Sequence, residues 1–156
     1  MAVGDRGTHV VTSNGTSRGE LLDWFRSYRE QLHRHLSLLD GKKRFALELG
    51  ALPRGKNWLD LGADYAPPEY IQCAGSADRM AIEVREIGPD GVAHQYAIGR
   101  GGDRSGDPSE TIQYAEHQVM VYPDEVFGLH EATGLFYAYF QDGTIPASYA
   151  RRELSL

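Results

Sequence analysis

The segment from Val121 to Tyr149 constrains the fold of this chain more than any other. Val126, Leu129, Thr133, Phe136 and Phe140 recur at alternating steps of three and four, which puts them on one face of an α-helix. Pro123 suits a first helical position, where its missing N–H costs nothing, and Asp124 and Glu125 complement the positive end of the helix dipole. Gly143 can adopt the left-handed conformation that ends a helix, and Pro146 prevents its resumption. The pattern therefore predicts one amphipathic helix stopped at Asp142-Gly143, followed by a short extended tail.

The rest of the chain supplies what that helix packs on. Ser17-Arg-Gly-Glu20 has the spacing of a capping box. Leu21, Phe25, Tyr28, Leu32 and Leu36 or Leu39 follow at helical steps, predicting a first helix of about twenty residues that ends at Asp40-Gly41. Beyond Lys42 the period changes to two. Strands are predicted at Phe45–Leu49, Trp58–Leu61, Tyr70–Ala74 and Met80–Ile87, with weaker ones at Thr111–Tyr114 and Gln118–Val121. Gly88-Pro-Asp-Gly91 is a turn that folds Val92–Ile98 back onto Met80–Ile87 as a hairpin. Gly99–Pro108 reads as a mobile loop. Residues 1–16 read as a flexible tail, with Thr8 to Thr12 pairing weakly as a strand, and 17–156 as a single domain. The predicted fold class is α+β: a two-layer domain with an antiparallel sheet of about five or six strands packed against an N-terminal and a C-terminal helix.

Composition narrows the function. With 22 Asp and Glu against 16 Lys and Arg, the formal charge is −6. That argues against a nucleic-acid binder, which needs a basic face to displace counterions. It fits a partner with a basic surface. The single cysteine, Cys73, leaves no intramolecular disulfide and no thiolate metal cluster. No apolar run approaches a membrane span and the first residues lack the apolar core of a signal peptide, so a cytoplasmic location is expected.

Residues capable of chemistry are scattered. His33 and His35 are two apart on a helix and face different ways. His130-Glu131 lacks the second His that a zinc-protease motif needs, since Gly134 stands there. Cys73 sits in an apolar strand without a cationic neighbour to stabilise a thiolate. The loop Gly99-Arg-Gly-Gly-Asp-Arg-Ser-Gly-Asp107 lacks the ending of a phosphate-binding P-loop. No catalytic residue, cofactor site or metal site is predicted. An alternative is a small enzyme with a pocket around His94 and a nearby carboxylate, and another is a homodimeric interaction module that pairs sheet edges. A binding surface is the favoured reading, because Tyr beside carboxylates combines buried area with charge selection. Its candidate residues are Asp60, Asp64, Tyr65, Glu69, Tyr70, Asp103 and Asp107.

Three stretches carry a resemblance: Leu59-Asp-Leu-Gly-Ala-Asp64, the Ile82-Glu-Val84 strand with its hairpin, and Val121-Tyr-Pro-Asp-Glu-Val126 leading to Phe140-Gln-Asp-Gly-Thr-Ile-Pro146. Their order resembles the Imm1 family of bacterial immunity proteins, the antidotes encoded beside polymorphic toxins. The family's closing Trp is replaced by Tyr149 here. The resemblance spans about Leu47 to Leu154. It implies a non-enzymatic cytoplasmic inhibitor, without cofactor, that covers the active site of one cognate toxin domain such as a nuclease or deaminase. It implies no nucleic-acid or membrane partner, and a monomer or weak homodimer when free.

Overall fold

The computed structural model describes residues 8–22, 25–56, 58–62 and 65–155. They form a mixed α+β fold with a seven-stranded antiparallel sheet, a separate two-stranded hairpin and two α-helices. In chain order the elements are β1 His9–Ser13, β2 Ser17–Glu20, α1 Tyr28–Ser37, β3 Ala46–Ala51, β4 Tyr70–Ser76, β5 Arg79–Ile87, β6 Ala93–Gly99, β7 Glu110–Tyr114, β8 His117–Val121, α2 Leu129–Asp142 and β9 Ala150–Leu154. The large sheet runs β2-β1-β3-β4-β5-β6-β9, and β7 pairs with β8 alone.

Period-two alternation gives the sheet two unlike faces. The inner face carries Val11, Leu47, Leu49, Ile71, Cys73, Met80, Ile82, Val84 and Ile98. These pack with Leu32, Leu36 and Leu39 from the α1 side and with Ala132, Leu135, Phe136 and Tyr139 of α2 in one continuous core. The outer face carries the alternate residues. Ile112 and Val121 of the β7–β8 hairpin cover one end of it over Ala81. The loop before β4 crosses the other end, where Pro67 lies 2.7 Å from the place a Cβ on Gly50 would occupy.

Several expectations are corrected. Among the described residues a β-hairpin precedes the first helix. Ser17–Glu20 is strand β2, joined to β1 by a turn in which Asn14 (φ 54°) and Gly15 (φ 75°) take the left-handed conformation that hairpin turns require. Asn14 then fastens the turn to β3: its Oδ1 accepts from the Phe45 N–H at 2.9 Å and its Nδ2 donates to the Lys43 carbonyl at 2.7 Å. The weak strand expected over Thr8 to Thr12 is β1, His9–Ser13, paired on both sides within the sheet rather than part of a loose tail, whereas 1–7 fall outside the described residues. The helix starts at Ser27, whose Oγ accepts from the Glu30 N–H at 3.2 Å, and Phe25, assigned to its apolar face, is 93% exposed. Trp58–Asp60 forms a 3-10 turn rather than a strand, and Leu59 is exposed.

The last predicted helix is shorter than its pattern. Pro123–Glu125 makes a 3-10 turn, and Phe127 then exchanges two backbone hydrogen bonds of 2.9 Å with Met80 before α2 begins. Val126 therefore precedes α2, while Thr133 and Phe136 lie in its buried face. Gly143 (φ 73°) ends α2 as expected, its N–H donating to the Tyr139 carbonyl at 2.8 Å. Beyond it, Ala150–Leu154 pairs with β6 as an edge strand that periodicity did not show.

Candidate functional site: the polar outer face of the sheet

Strand register brings one residue from every strand into a single transverse row: Arg18, Thr12, Glu48, Gln72, Glu83, Ala97 and Arg152. Six of the seven are polar. Beside it, Ala46, Ala74 and Ala81 align across β3, β4 and β5. Their small side chains leave a recess of about 350 Å³, bounded by Glu83, Gln72, Phe45, Tyr114 of β7 and Val119 of β8.

Within the row the groups are pre-oriented. Glu83 Oε1 accepts from Gln72 Nε2 at 3.0 Å and from Gln95 Nε2 at 2.6 Å. Gln95 Oε1 accepts in turn from Arg85 at 3.2 Å and from the Tyr70 hydroxyl at 3.4 Å. Glu48 differs: no described residue donates a hydrogen bond to it. Burial raises its carboxyl above the ordinary range, opposed by the charge of Arg18. Burial also raises the Tyr70 hydroxyl, reinforced by the charge of Glu48 and opposed by Arg85. A half-buried carboxylate that lacks internal donors is suited to receive a guanidinium or ammonium group from outside.

At the β9 end the row continues into an ion cluster centred on Glu125. Glu125, 1% exposed, accepts from Arg152 Nε and Nη2, both at 2.9 Å, from Arg104 at 3.1 Å and from the Tyr122 N–H at 2.8 Å. Arg104 also reaches Asp124 at 2.7 Å, and both guanidinium groups lie 5.2 Å from the Tyr122 ring centre. The Gly99–Pro108 loop, expected to be mobile, is pinned here. Asp124 accepts from the Gly101 N–H at 3.1 Å, and the Tyr122 hydroxyl donates to the Gly106 carbonyl at 2.9 Å. This cluster holds the loop and β9 in place and leaves Glu125 no vacancy for a ligand.

The candidate contact residues named from the sequence do not form one patch. Tyr70 opens β4 on the outer face. Tyr65 lies in the loop at the same end, its carbonyl accepting from Arg18, and Asp60 is exposed in the 3-10 turn. Glu69 is exposed there too, with Oε2 accepting from the Ile87 N–H at 3.0 Å. Asp103 and Asp107 are exposed beyond the far end of β6, about 20 Å away along the strands at 3.3 Å per residue. Asp103 accepts from the Ser105 N–H at 2.8 Å, and hydrogen bonds from Ser105 lower its carboxyl. Asp64 lies outside the described residues. Glu48, Gln72 and Glu83 were not singled out, although the alternation in Ala46–Ala51 and Met80–Ile87 was enough to place Glu48 and Glu83 on one face.

His94 lies on β6, toward the edge strand β9. It stands between Glu153 at 3.0 Å and Asp90 at 3.2 Å, whose hydrogen bonds raise its pKa above the ordinary value. Cys73 is buried, and burial pushes its thiol up to about 12, so it does not supply a thiolate near neutral pH. Among the described residues no group of three or more His, Cys, Asp or Glu is placed to hold a metal ion. No described helix is long and apolar enough to cross a membrane. No protein-family model, curated protein or solved structure matches the chain.

Proposed function

We propose that this is an immunity protein: a cytoplasmic antitoxin that binds one cognate bacterial toxin domain and inhibits it by covering a basic active site. The observation that carries the reading is Glu48, a half-buried outer-face carboxylate with no hydrogen-bond donor among the described residues, one strand from the hydrogen-bonded Gln72–Glu83 pair and near an open recess. A Lys or Arg from the toxin would complete it. Asp60, Tyr65, Glu69 and Tyr70 lie at the adjoining end of the sheet, where they would form the rim of the same interface. Asp103 and Asp107 would engage only a partner broad enough to span the strands. The chain's charge of −6 would speed encounter with a basic cleft. The role is binding rather than catalysis, and the free protein is a monomer or weak homodimer.

The test uses the toxin domain encoded by the adjacent gene. Glu48→Lys combined with Glu69→Lys should weaken association at least tenfold, on the order of 1.4 kcal/mol. Affinity for the wild type should fall as pH drops through the raised Glu48 pKa, because a cationic guest favours the ionised carboxylate. Unchanged affinity in the double variant would remove the outer face from the interface. Absence of any association would remove the immunity reading itself.

A further inference from the structure

We propose that the groove between α1 and α2, on the helix side of the sheet, binds a small phosphate-bearing anion. Arg26, Arg29, His33 and Arg34 from the α1 side and His130 of α2 line this groove of about 530 Å³, and Glu30 is the one carboxylate among its lining residues. Three arginines beside a single carboxylate run against a chain whose net charge is −6.

The arginines here also differ from others in how they are satisfied. Arg79, Arg100, Arg104, Arg151 and Arg152 each hold a carboxylate. No carboxylate among the described residues forms an ion pair with Arg26, Arg29 or Arg34. Arg29 rests instead over the Tyr137 ring, 5.7 Å from its centre. Arg29 and Arg34 on α1 and Arg26 just before it bring three like charges to one groove with Glu30 as the one carboxylate in its lining, and like charges held close repel one another. An oxyanion seated between the helices relieves that repulsion. The planar guanidinium fork matches phosphate oxygens two at a time, which an exposed carboxylate rim elsewhere on this protein cannot do. The groove's size falls within the roughly 300–1,000 Å³ of small-molecule sites. Its occupant is therefore a compound of nucleotide or polyphosphate size, held by charge and so sensitive to salt.

The experiment is a titration of the full chain with ATP, and separately with inorganic pyrophosphate, at low ionic strength, followed by amide shifts in nitrogen-15 NMR. Saturable shifts confined to Arg29–Ser37 and His130–Thr133 are expected with both probes. The double variant Arg29→Gln, Arg34→Gln should weaken binding roughly tenfold, the loss of about one charge-assisted contact. Both positions are exposed, so the variant keeps its fold, and an unchanged circular-dichroism spectrum would verify that. Arg54→Gln, on a loop outside the groove, should bind like the wild type. No saturable shifts, shifts located elsewhere, equal binding by the double variant, or binding of a short DNA duplex with neither small probe would each overturn the proposal. None of these outcomes depends on the toxin, so failure here leaves the immunity reading standing.

Discussion

Individual ionisable residues in this protein are tuned in opposite directions by their surroundings. The His9 ring lies tilted against Phe140 with centres 4.4 Å apart, and burial lowers its pKa to about 4. His94 stands between two carboxylates that raise it. A lowered histidine pKa means the fold prefers the neutral ring. Its stabilisation is present above about 6.5 and is lost as pH falls towards the folded value near 4. The raised pKa of His94 works the other way, with stabilisation present below the unfolded value and lost as pH rises through the folded one. Proton-detected titration of the two rings should therefore give midpoints on opposite sides of the ordinary value, and Glu153→Gln should lower that of His94 alone. Glu125 is the residue whose loss should cost most. Glu125→Ala strands Arg104 and Arg152 without their shared carboxylate and should reduce unfolding free energy by about 3 kcal/mol, measured by urea denaturation.

Among the elements, α2 and the β5–β6 hairpin could be read from the sequence because local and tertiary preferences agree. Met80, Ile82 and Val84 alternate inward, and Gly143 is where a left-handed cap is needed. The first thirty residues misled for a physical reason. Ser17-Arg-Gly-Glu20 satisfies a helix-start pattern, but Asn14-Gly15 just before it is a stronger hairpin signal, and backbone pairing to β1 wins. Strand β9 was invisible because its residues, Ala-Arg-Arg-Glu-Leu, owe their conformation to β6 rather than to any apolar period. The candidate site was legible only in part. Alternation places Glu48 and Glu83 on one face, but the row that joins them to Gln72 and Arg152 depends on register, which no local pattern shows. Gly134 is the element-level exception, a mid-helix glycine where an added Cβ meets nothing within 4 Å. Gly134→Ala should stabilise the protein by about 0.5–1 kcal/mol, seen as a higher denaturation midpoint. Gly75→Ala should do the reverse, since its φ of 128° disfavours a side chain and the new Cβ would lie 2.9 Å from Ile112 of the hairpin.

The two sides of the sheet differ in what they present. The helices and a groove lined by three arginines lie on one side, while a row of mixed charge and amides, from Arg18 to Arg152, and the β7–β8 hairpin lie on the other. The Glu125 cluster stiffens the β9 end of the outer face, and the Asn14 turn pins the other, so the row between them is held in one arrangement, as the proposed interface requires. Preorganisation of this kind lowers the entropy lost on binding. Hydrogen exchange across the complex with the adjacent gene's toxin domain tests this account most directly. Slowed exchange should concentrate in β3, β4 and β5 around Glu48, Gln72 and Glu83, with α1 and α2 unchanged. Protection confined to the two helices would contradict it.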